Sequence, residues 1–102
     1  MVTGLKQFDL TGRAAIVTGG SKGLGESMAA GLASAGADVL LVSRNEEEAA
    51  TVASKIQSEH GRKGIGMRAD VTSETDVAAM VDRAMSEFGR IDILINLSLI
   101  HI

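Results

Sequence analysis

The glycine-rich segment TGGSKGLG, residues 18–25, contains the residues of this sequence best suited to holding a phosphate group. It follows the short apolar run RAAIVT and precedes a helical pattern, so it joins a strand to the N-terminus of a helix. Exposed backbone N–H groups and the positive end of a helix dipole favour an anion such as pyrophosphate there. Gly19 would permit the tight turn, Gly23 the close approach of backbone to phosphate, and Gly25 close packing of helix on strand. We therefore expect a nucleotide site rather than a flexible surface loop.

The spacing of this loop argues against one class of phosphate site. In a P-loop, the lysine follows a glycine and precedes Ser or Thr, whereas here Lys22 precedes Gly23. The loop therefore fits a dinucleotide site better than a nucleoside-triphosphate site.

The elements that must position this loop alternate along the chain. We predict strands over residues 13–18, 37–43, 65–71 and 91–96. Three helices lie between them, with apolar stripes at Leu24, Met28, Leu32 and Ala35, at Ala49, Val52, Ala53 and Ile56, and at Val77, Met80, Val81, Ala84 and Phe88. N-cap spacing occurs at Asn45 with Glu48 and at Ser73 with Asp76, and Gly36, the HGRKG segment and Gly89 follow the three helices.

Apolar strands separated by amphipathic helices predict an α/β fold, in which a parallel sheet is covered on both faces. The order βαβαβαβ with right-handed crossovers is the first half of a doubly wound sheet, with strand order 3-2-1-4. Such sheets usually contain more than four strands, so we expect the architecture to be truncated.

Composition narrows the class of protein. The chain has 102 residues, a net charge of −3 and no cysteine, so it shows neither a basic footprint for nucleic acid nor a thiolate metal site. The two histidines, His60 and His101, have no neighbouring metal-ligand pattern, and we expect both at the surface. The sequence shows neither a signal peptide nor an apolar run of membrane-spanning length. These features predict a cytoplasmic protein without nucleic-acid or membrane partners.

At the glycine loop the sequence resembles the short-chain dehydrogenase/reductase family, whose cofactor motif is T-G-x-x-x-G-x-G. The segments FDLTGRAAIVTGG, ADVT and GRIDILIN are similar to family segments in the same order, so the resemblance covers residues 8–96. It implies a Rossmann-type fold and an oxidoreductase that interconverts a carbonyl and an alcohol by hydride transfer. The cofactor-binding residues it implies are Thr18, Gly19, Ser21, Lys22, Gly23, Leu24, Gly25, Ser43, Arg44, Asp70, Val71 and Asn96.

The end of the second strand bears on which cofactor is bound. NAD-preferring sites usually place Asp or Glu there, on the ribose 2′-hydroxyl, but this chain has Ser43 followed by Arg44. A small Ser leaves space for a 2′-phosphate, and Arg offers it a bidentate fork. Lys22 could reach the same phosphate, and in the family a base at each position goes with NADP(H). We predict NADP(H) rather than NAD(H), the alternative being that both bases are solvated surface charges.

Two further residues have roles that the resemblance implies. Asp70 would accept a hydrogen bond from the adenine amino group with Val71 beside the ring, although Asp70 could instead cap the turn before the next helix. Asn96 matches the first Asn of the family motif N-N-A-G, where it holds the strand and the adenosine side.

The catalytic residues that the resemblance implies are a Tyr, a Lys four residues later, a Ser and an Asn, all beyond the fourth strand. This chain contains no Tyr, so we identify no catalytic residue and expect the chain itself to be inactive. The alternative is a complete, non-catalytic module that binds NAD(P) as a sensor or scaffold.

The final residues LSLIHI stand where the family motif should continue. We expect residues 1–96 to be the N-terminal part of a nucleotide-binding domain and residues 97–102 to be a non-native tail translated from a sequencing adapter. By the same resemblance, we expect the full-length protein to be a homotetramer that acts on a small carbonyl or alcohol. Its sequence is most similar to family members that act on sugar acids such as gluconate or on 3-oxoacyl thioesters.

Overall fold

Strands and helices alternate along the chain in the computed structural model, which describes residues 9–19 and 23–97. The strands are β1 (Ala14–Thr18), β2 (Asp38–Ser43), β3 (Gly64–Arg68) and β4 (Ile93–Asn96). The helices are α1 (Leu24–Ser34), α2 (Glu46–His60) and α3 (Glu74–Phe88). The predicted α/β alternation is confirmed, but β3 ends three residues earlier than predicted, because residues 69–71 leave the sheet for the turn before α3.

The four strands form one parallel sheet in the order β3-β2-β1-β4, as predicted. The register aligns Thr18 with both Val42 and Asn96, and it aligns Ser43 with Arg68. The strands therefore end at nearly the same level, and the loops that follow them meet along one edge of the sheet.

The central strands β1 and β2 are buried on both faces of the sheet. One face packs against α1 and α2 through a cluster of Val17, Ala29, Ala33, Val39, Leu41, Val52 and Ile56. The other packs against α3 through Ile16, Leu40, Val42, Ala69, Met80 and Ala84. Side chains alternate between the two faces along β1 and β2, which explains why these strands read as continuous apolar runs.

The predicted apolar stripe of α1 is wrong. The residues buried against the sheet are Gly25, Ala29 and Ala33, whereas Leu24 is 66% exposed. Small side chains at this spacing let the helix axis approach the strands closely, so the larger residues of the helix lie at its flank. Leu32 is the member of the predicted stripe that packs, partly buried, against the core cluster.

The other two helices follow their predicted patterns more closely. All four predicted core residues of α2 are buried. In α3 the prediction fails at Val81, which is 39% exposed, whereas Met80 and Ala84 are buried and Val77 and Phe88 pack against them. Val81 lies at the margin of the stripe, beyond the arc of the helix that faces the sheet.

The predicted helix boundaries are confirmed in their chemistry. The Asn45 side chain accepts a hydrogen bond from the Glu48 N–H at 3.1 Å, and the Ser73 hydroxyl accepts one from the Asp76 N–H at 3.2 Å. Gly61 and Gly89 end α2 and α3 in the left-handed conformation. Within the described ranges, no helix is both long and apolar enough to cross a membrane.

Candidate functional site

The carboxyl ends of the four strands gather most of the predicted site residues at one edge of the sheet. Thr18 ends β1, Ser43 ends β2 and Asn96 ends β4, while Asp70 follows β3. In open α/β sheets this edge, at the point where the strand order reverses, is where ligands bind. Here the reversal lies between β1 and β4, beside the glycine loop.

The described part of the glycine loop has the geometry that its glycines suggested. Gly19 has φ 74°, and its N–H donates to the Val42 carbonyl at 2.7 Å, which turns the chain sharply after β1. Gly23, at φ 56° and ψ −120°, adopts a conformation that favours glycine and begins α1. Gly25 is buried in the first turn, as the prediction of close helix packing requires. The predicted site residues Ser21 and Lys22 lie outside the described residues.

The N-terminus of α1 has no side-chain cap among the described residues. Its first-turn N–H groups and dipole therefore offer partial positive charge to an anion in the crevice. One carboxylate lies in this turn, that of Glu26, and Lys55 of α2 donates to its Oε2 at 2.9 Å. The pKa of Lys55 is raised mainly by that hydrogen bond and by the Glu26 charge. This ion pair offsets the negative charge of Glu26 in the first turn of the helix.

Thr18 and Asn96 connect the ends of β1 and β4. The Thr18 hydroxyl donates to the Asn96 side-chain oxygen at 2.8 Å, and Thr18 is only 1% exposed. The Leu97 N–H donates to the Thr18 carbonyl at 3.0 Å, so the contact between these strands continues one residue past β4. The two side chains thus fix the wall of the crevice on the β4 side.

The end of β2 carries no acidic side chain until Glu46, the first residue of α2. The Ser43 hydroxyl accepts a hydrogen bond from the Asn45 N–H at 3.1 Å, which shapes the turn into α2. The Arg44 side chain is 78% exposed, and its Nη2 lies 4.0 Å from Asp70 Oδ1. The predicted cation at this position therefore reaches across to the loop that follows β3.

Asp70 caps the turn before α3, which is the alternative role that the sequence suggested for this residue. Its Oδ1 accepts hydrogen bonds from the Thr72 N–H at 2.9 Å and the Thr72 hydroxyl at 2.7 Å. These bonds, and more weakly the charges of Arg44 and Arg68, lower the pKa of Asp70 below its usual value. The Oδ2 atom makes no hydrogen bond with a described residue, so turn formation still leaves an acceptor for a ligand. Val71 follows in the turn and is half-buried.

Two residues near this site were not predicted. The Asp76 carboxylate, in the first turn of α3, accepts a hydrogen bond from the Asp70 N–H at 2.9 Å and so holds the turn. Arg68 ends β3 beside Ser43. A carboxylate six residues after Asp70 gives no signal in sequence, but a base that ends an apolar strand could have been recognised.

The described residues contain no group of three or more His, Cys, Asp or Glu side chains placed to hold a metal ion. His60 ends α2, is half-buried and lies away from the strand ends. His101 is outside the described residues.

Comparison with known proteins agrees with this geometry. The family model described as short chain dehydrogenase matches residues 13–98. A short chain dehydrogenase/reductase of Aspergillus oryzae, astE, is 39% identical over 101 residues, covering 98% of this chain and 39% of that protein. The 2-dehydro-3-deoxy-D-gluconate 5-dehydrogenase of Dickeya dadantii is 40% identical over 92 residues, covering 90% of this chain and 35% of that protein.

Solved structures show the same likeness. A hydroxysteroid dehydrogenase from Escherichia coli superposes with a TM-score of 0.84 at 37% identity, over 89% of this chain and 38% of that one. A short-chain type dehydrogenase/reductase from Mycobacterium marinum gives a TM-score of 0.83 at 38% identity, over 91% of this chain and 37% of that one. The chain thus spans less than two-fifths of the length of these relatives.

Proposed function

Because the chain belongs to the short-chain dehydrogenase family, we propose that it carries the nucleotide-binding part of an NADP(H)-dependent oxidoreductase. The whole enzyme would interconvert a carbonyl and an alcohol by hydride transfer. The observation that carries this proposal is the convergence of the glycine loop, Ser43, Arg44, Asp70 and Asn96 at the carboxyl ends of four parallel strands.

The pyrophosphate would lie on the glycine loop and the N-terminus of α1. The positive φ angles of Gly19 and Gly23 support this, because they leave backbone without a Cβ at the point of approach. We propose that Thr18, Ser21, Leu24 and Gly25 would also contact the diphosphate. Leu24 is exposed at the start of α1, as a residue at the mouth of an open crevice should be.

The adenosine would bind across the ends of β2 and β3. Asp70 Oδ2 is the proposed acceptor for the adenine amino group, and Val71 would lie against the ring. The hydrogen bonds that Asp70 Oδ1 receives from Thr72 support this role, because they hold the carboxylate ionised and in one orientation. Asn96 would support the same side of the cofactor through its contact with Thr18.

The proposed preference for NADP(H) over NAD(H) rests on charge at the end of β2. A carboxylate there would repel a 2′-phosphate, and the residues that follow β2 directly are Ser43, Arg44 and Asn45. A phosphate monoester carries about −1.5 to −2 charges near neutral pH. Arg44 from one side and Lys22 from the glycine loop would bind it.

The bound cofactor would supply the hydride, and the proton would come from a side-chain acid of the whole enzyme. The unperturbed pKa of a tyrosine is about 10, and this pKa must be lowered towards neutrality before the side chain can act as that acid. None of the 102 residues is a Tyr, so we expect this chain to bind nucleotide without turning over substrate. A non-catalytic NAD(P) sensor or scaffold would behave in the same way in isolation, and only an activity assay of the whole gene product separates the two.

For the full-length protein we propose a small carbonyl or alcohol substrate, a homotetrameric assembly and a cytoplasmic location. The relatives include a sugar-acid dehydrogenase and hydroxysteroid dehydrogenases, which supports a small-molecule substrate without choosing among them. We also propose that residues 1–96 are the native part of the domain and that residues 97–102 are a tail translated from a sequencing adapter. Sequencing the source DNA across residues 97–102 tests that boundary, and codons that differ from the adapter would refute it.

The cofactor proposal is tested by titrating the chain with NADPH and NADH and following the fluorescence of the reduced nicotinamide. We expect NADPH to bind more tightly, and Arg44→Asp to reverse the preference by placing a carboxylate beside the ribose. Arg83→Asp is the matched control, because Arg83 lies on α3 and pairs with Glu87 at 3.0 Å, away from the strand ends. An unchanged preference in Arg44→Asp would refute the assignment, and absence of binding by either nucleotide would refute the site.

A further inference from the structure

Arg68 occupies a position equivalent to Ser43 in the neighbouring strand. The two residues are aligned in the parallel pairing of β2 and β3. Aligned residues of adjacent strands point to the same face of the sheet, and adjacent strands lie about 4.8 Å apart. The Arg68 side chain therefore extends from the sheet next to the residue that stands at the ribose position of the proposed site.

Arg68 also differs from the other arginines of the described ranges. Five of them lie within 4.0 Å of a carboxylate: Arg13 and Arg90 of Asp92, Arg44 of Asp70, Arg62 of Asp38, and Arg83 of Glu87. The Arg68 side chain forms no ion pair within 4.0 Å and no hydrogen bond with a described residue, and Arg68 is exposed. Its charge is thus available to a ligand.

The charge of Arg68 matters for phosphate binding because Arg44 is paired with Asp70. With Nη2 4.0 Å from Asp70 Oδ1, the positive charge of Arg44 is partly offset by the carboxylate. Arg44 and Asp70 together have no net charge, so they alone would attract a phosphate weakly. Arg68 lies close enough to Asp70 to contribute to the lowering of its pKa. The three residues together carry one net positive charge at the corner where β2 and β3 end.

We propose that Arg68 is a second specificity-determining residue, which with Arg44 binds the 2′-phosphate of NADP(H) from the β3 side of the ribose. This inference rests on the proposed preference for NADP(H). Two guanidinium groups on adjacent strand ends can approach a phosphate from different directions, and each can donate two hydrogen bonds to it.

The test compares two probes that differ only by the 2′-phosphate, namely 2′,5′-ADP and 5′-AMP, in calorimetric titrations of the full chain. For Arg68→Gln we expect the affinity for 2′,5′-ADP to fall about 3- to 5-fold, the upper part of the range for loss of one exposed ion pair. The affinity for 5′-AMP should change less than about 2-fold by the same reasoning, since that probe lacks the phosphate that Arg68 binds. Arg68→Lys should restore part of the loss, because Lys keeps the charge but not the fork.

Two controls separate a local effect from loss of the fold. Arg83→Gln removes an equal charge from α3 and should leave both affinities unchanged. The cooperative unfolding transition of Arg68→Gln should nearly match that of the wild type, because the exposed Arg68 side chain forms no ion pair within 4.0 Å and no hydrogen bond with a described residue.

The outcomes distinguish this inference from the cofactor proposal beneath it. If the wild type prefers 2′,5′-ADP and Arg68→Gln keeps the full preference, Arg68 has no such role while the NADP(H) proposal stands. If the wild type shows no preference, or binds neither probe, the NADP(H) proposal fails and the role of Arg68 fails with it. A preference that Arg68→Gln reduces and Arg83→Gln leaves intact supports both.

Discussion

The Thr18 hydroxyl donates a hydrogen bond of 2.8 Å to the side-chain oxygen of Asn96 and so joins the ends of two strands that are 78 residues apart in sequence. Both residues belong to the proposed cofactor site. The bond places the side chain of Asn96 and links the first strand of the fold to the fourth, so the geometry of the crevice and the stability of the sheet edge depend on the same contact.

The strength of this contact can be measured with a double-mutant cycle of Thr18→Val and Asn96→Ala. Val nearly preserves the volume of a residue that is 1% exposed but removes its hydroxyl. We expect a coupling free energy of about 1 kcal/mol from urea unfolding, the usual net value of a hydrogen bond in a folded protein. Additive effects of the two substitutions would show that the contact contributes nothing.

Sequence reasoning predicted the features that depend on local pattern. The order of strands and helices, the caps at Asn45 and Ser73, and the glycines that end α2 and α3 are encoded within a few residues of where they act. The strand order 3-2-1-4 follows from alternation and from the handedness of the crossovers. The positive φ angles of Gly19 and Gly23 were foreseeable for the same reason.

The features it missed depend on pairing between distant residues. The alignment of Arg68 with Ser43 requires the register of β2 and β3, which no local pattern specifies. The spacing of the larger apolar residues predicts the wrong buried face for α1. The close approach of helix and sheet instead selects Gly25, Ala29 and Ala33.

Substitution by alanine should have opposite effects on stability at two glycines, one closely packed and one not. A Cβ on Gly66 of β3 would lie 2.5 Å from the backbone carbon of Ala49 in α2, so Gly66→Ala should lower the free energy of unfolding by about 1–3 kcal/mol. A Cβ added to Gly31 of α1 would have no neighbouring atom within 4 Å outside its own helix turn. Gly31→Ala should therefore raise the free energy by about 0.5–1 kcal/mol, because alanine loses less entropy in a helix. Denaturant unfolding of both variants checks the prediction, and shifts of the same sign would contradict it.

Asp92 makes the stability of the sheet depend on pH in the acidic range. Its carboxylate accepts two hydrogen bonds from Arg90, at 2.7 and 2.8 Å, and one from the Ala14 N–H at 2.9 Å, which holds the start of β4 against β1. The bond from Arg90 is the main reason that the pKa of Asp92 is lowered to about 2. The folded pKa lies below the unfolded value of about 3.9, so this stabilisation is complete above about pH 4 and is lost as the pH falls to about 2.

Asp92→Asn tests that dependence. The wild type should be more stable than the variant near neutral pH, and the difference in free energy of unfolding should shrink between about pH 4 and pH 2. Asp82→Asn is the control, since Asp82 is exposed on α3 and its side chain forms no ion pair or hydrogen bond with a described residue. A wild-type advantage over Asp92→Asn that stays constant down to pH 2 would rule out the assigned role.

The edge of the sheet at β4 predicts that the chain associates with itself in solution. In the described part of the chain β4 pairs with β1 alone, and Leu94, aligned with Ile16 on the α3 face, is 61% exposed. Val81 and Met85 of α3 are also exposed apolar residues, at 39% and 47%. An unpaired strand edge beside apolar side chains favours edge-to-edge pairing.

Sedimentation at several protein concentrations tests this association. We expect the apparent mass to rise with concentration. Leu94→Lys should suppress that rise, because a charge on an edge strand opposes pairing. Leu24→Lys is the matched control, since Leu24 is 66% exposed at the start of α1. Equal suppression by both substitutions would show that general surface hydrophobicity, and not the edge of β4, drives the association.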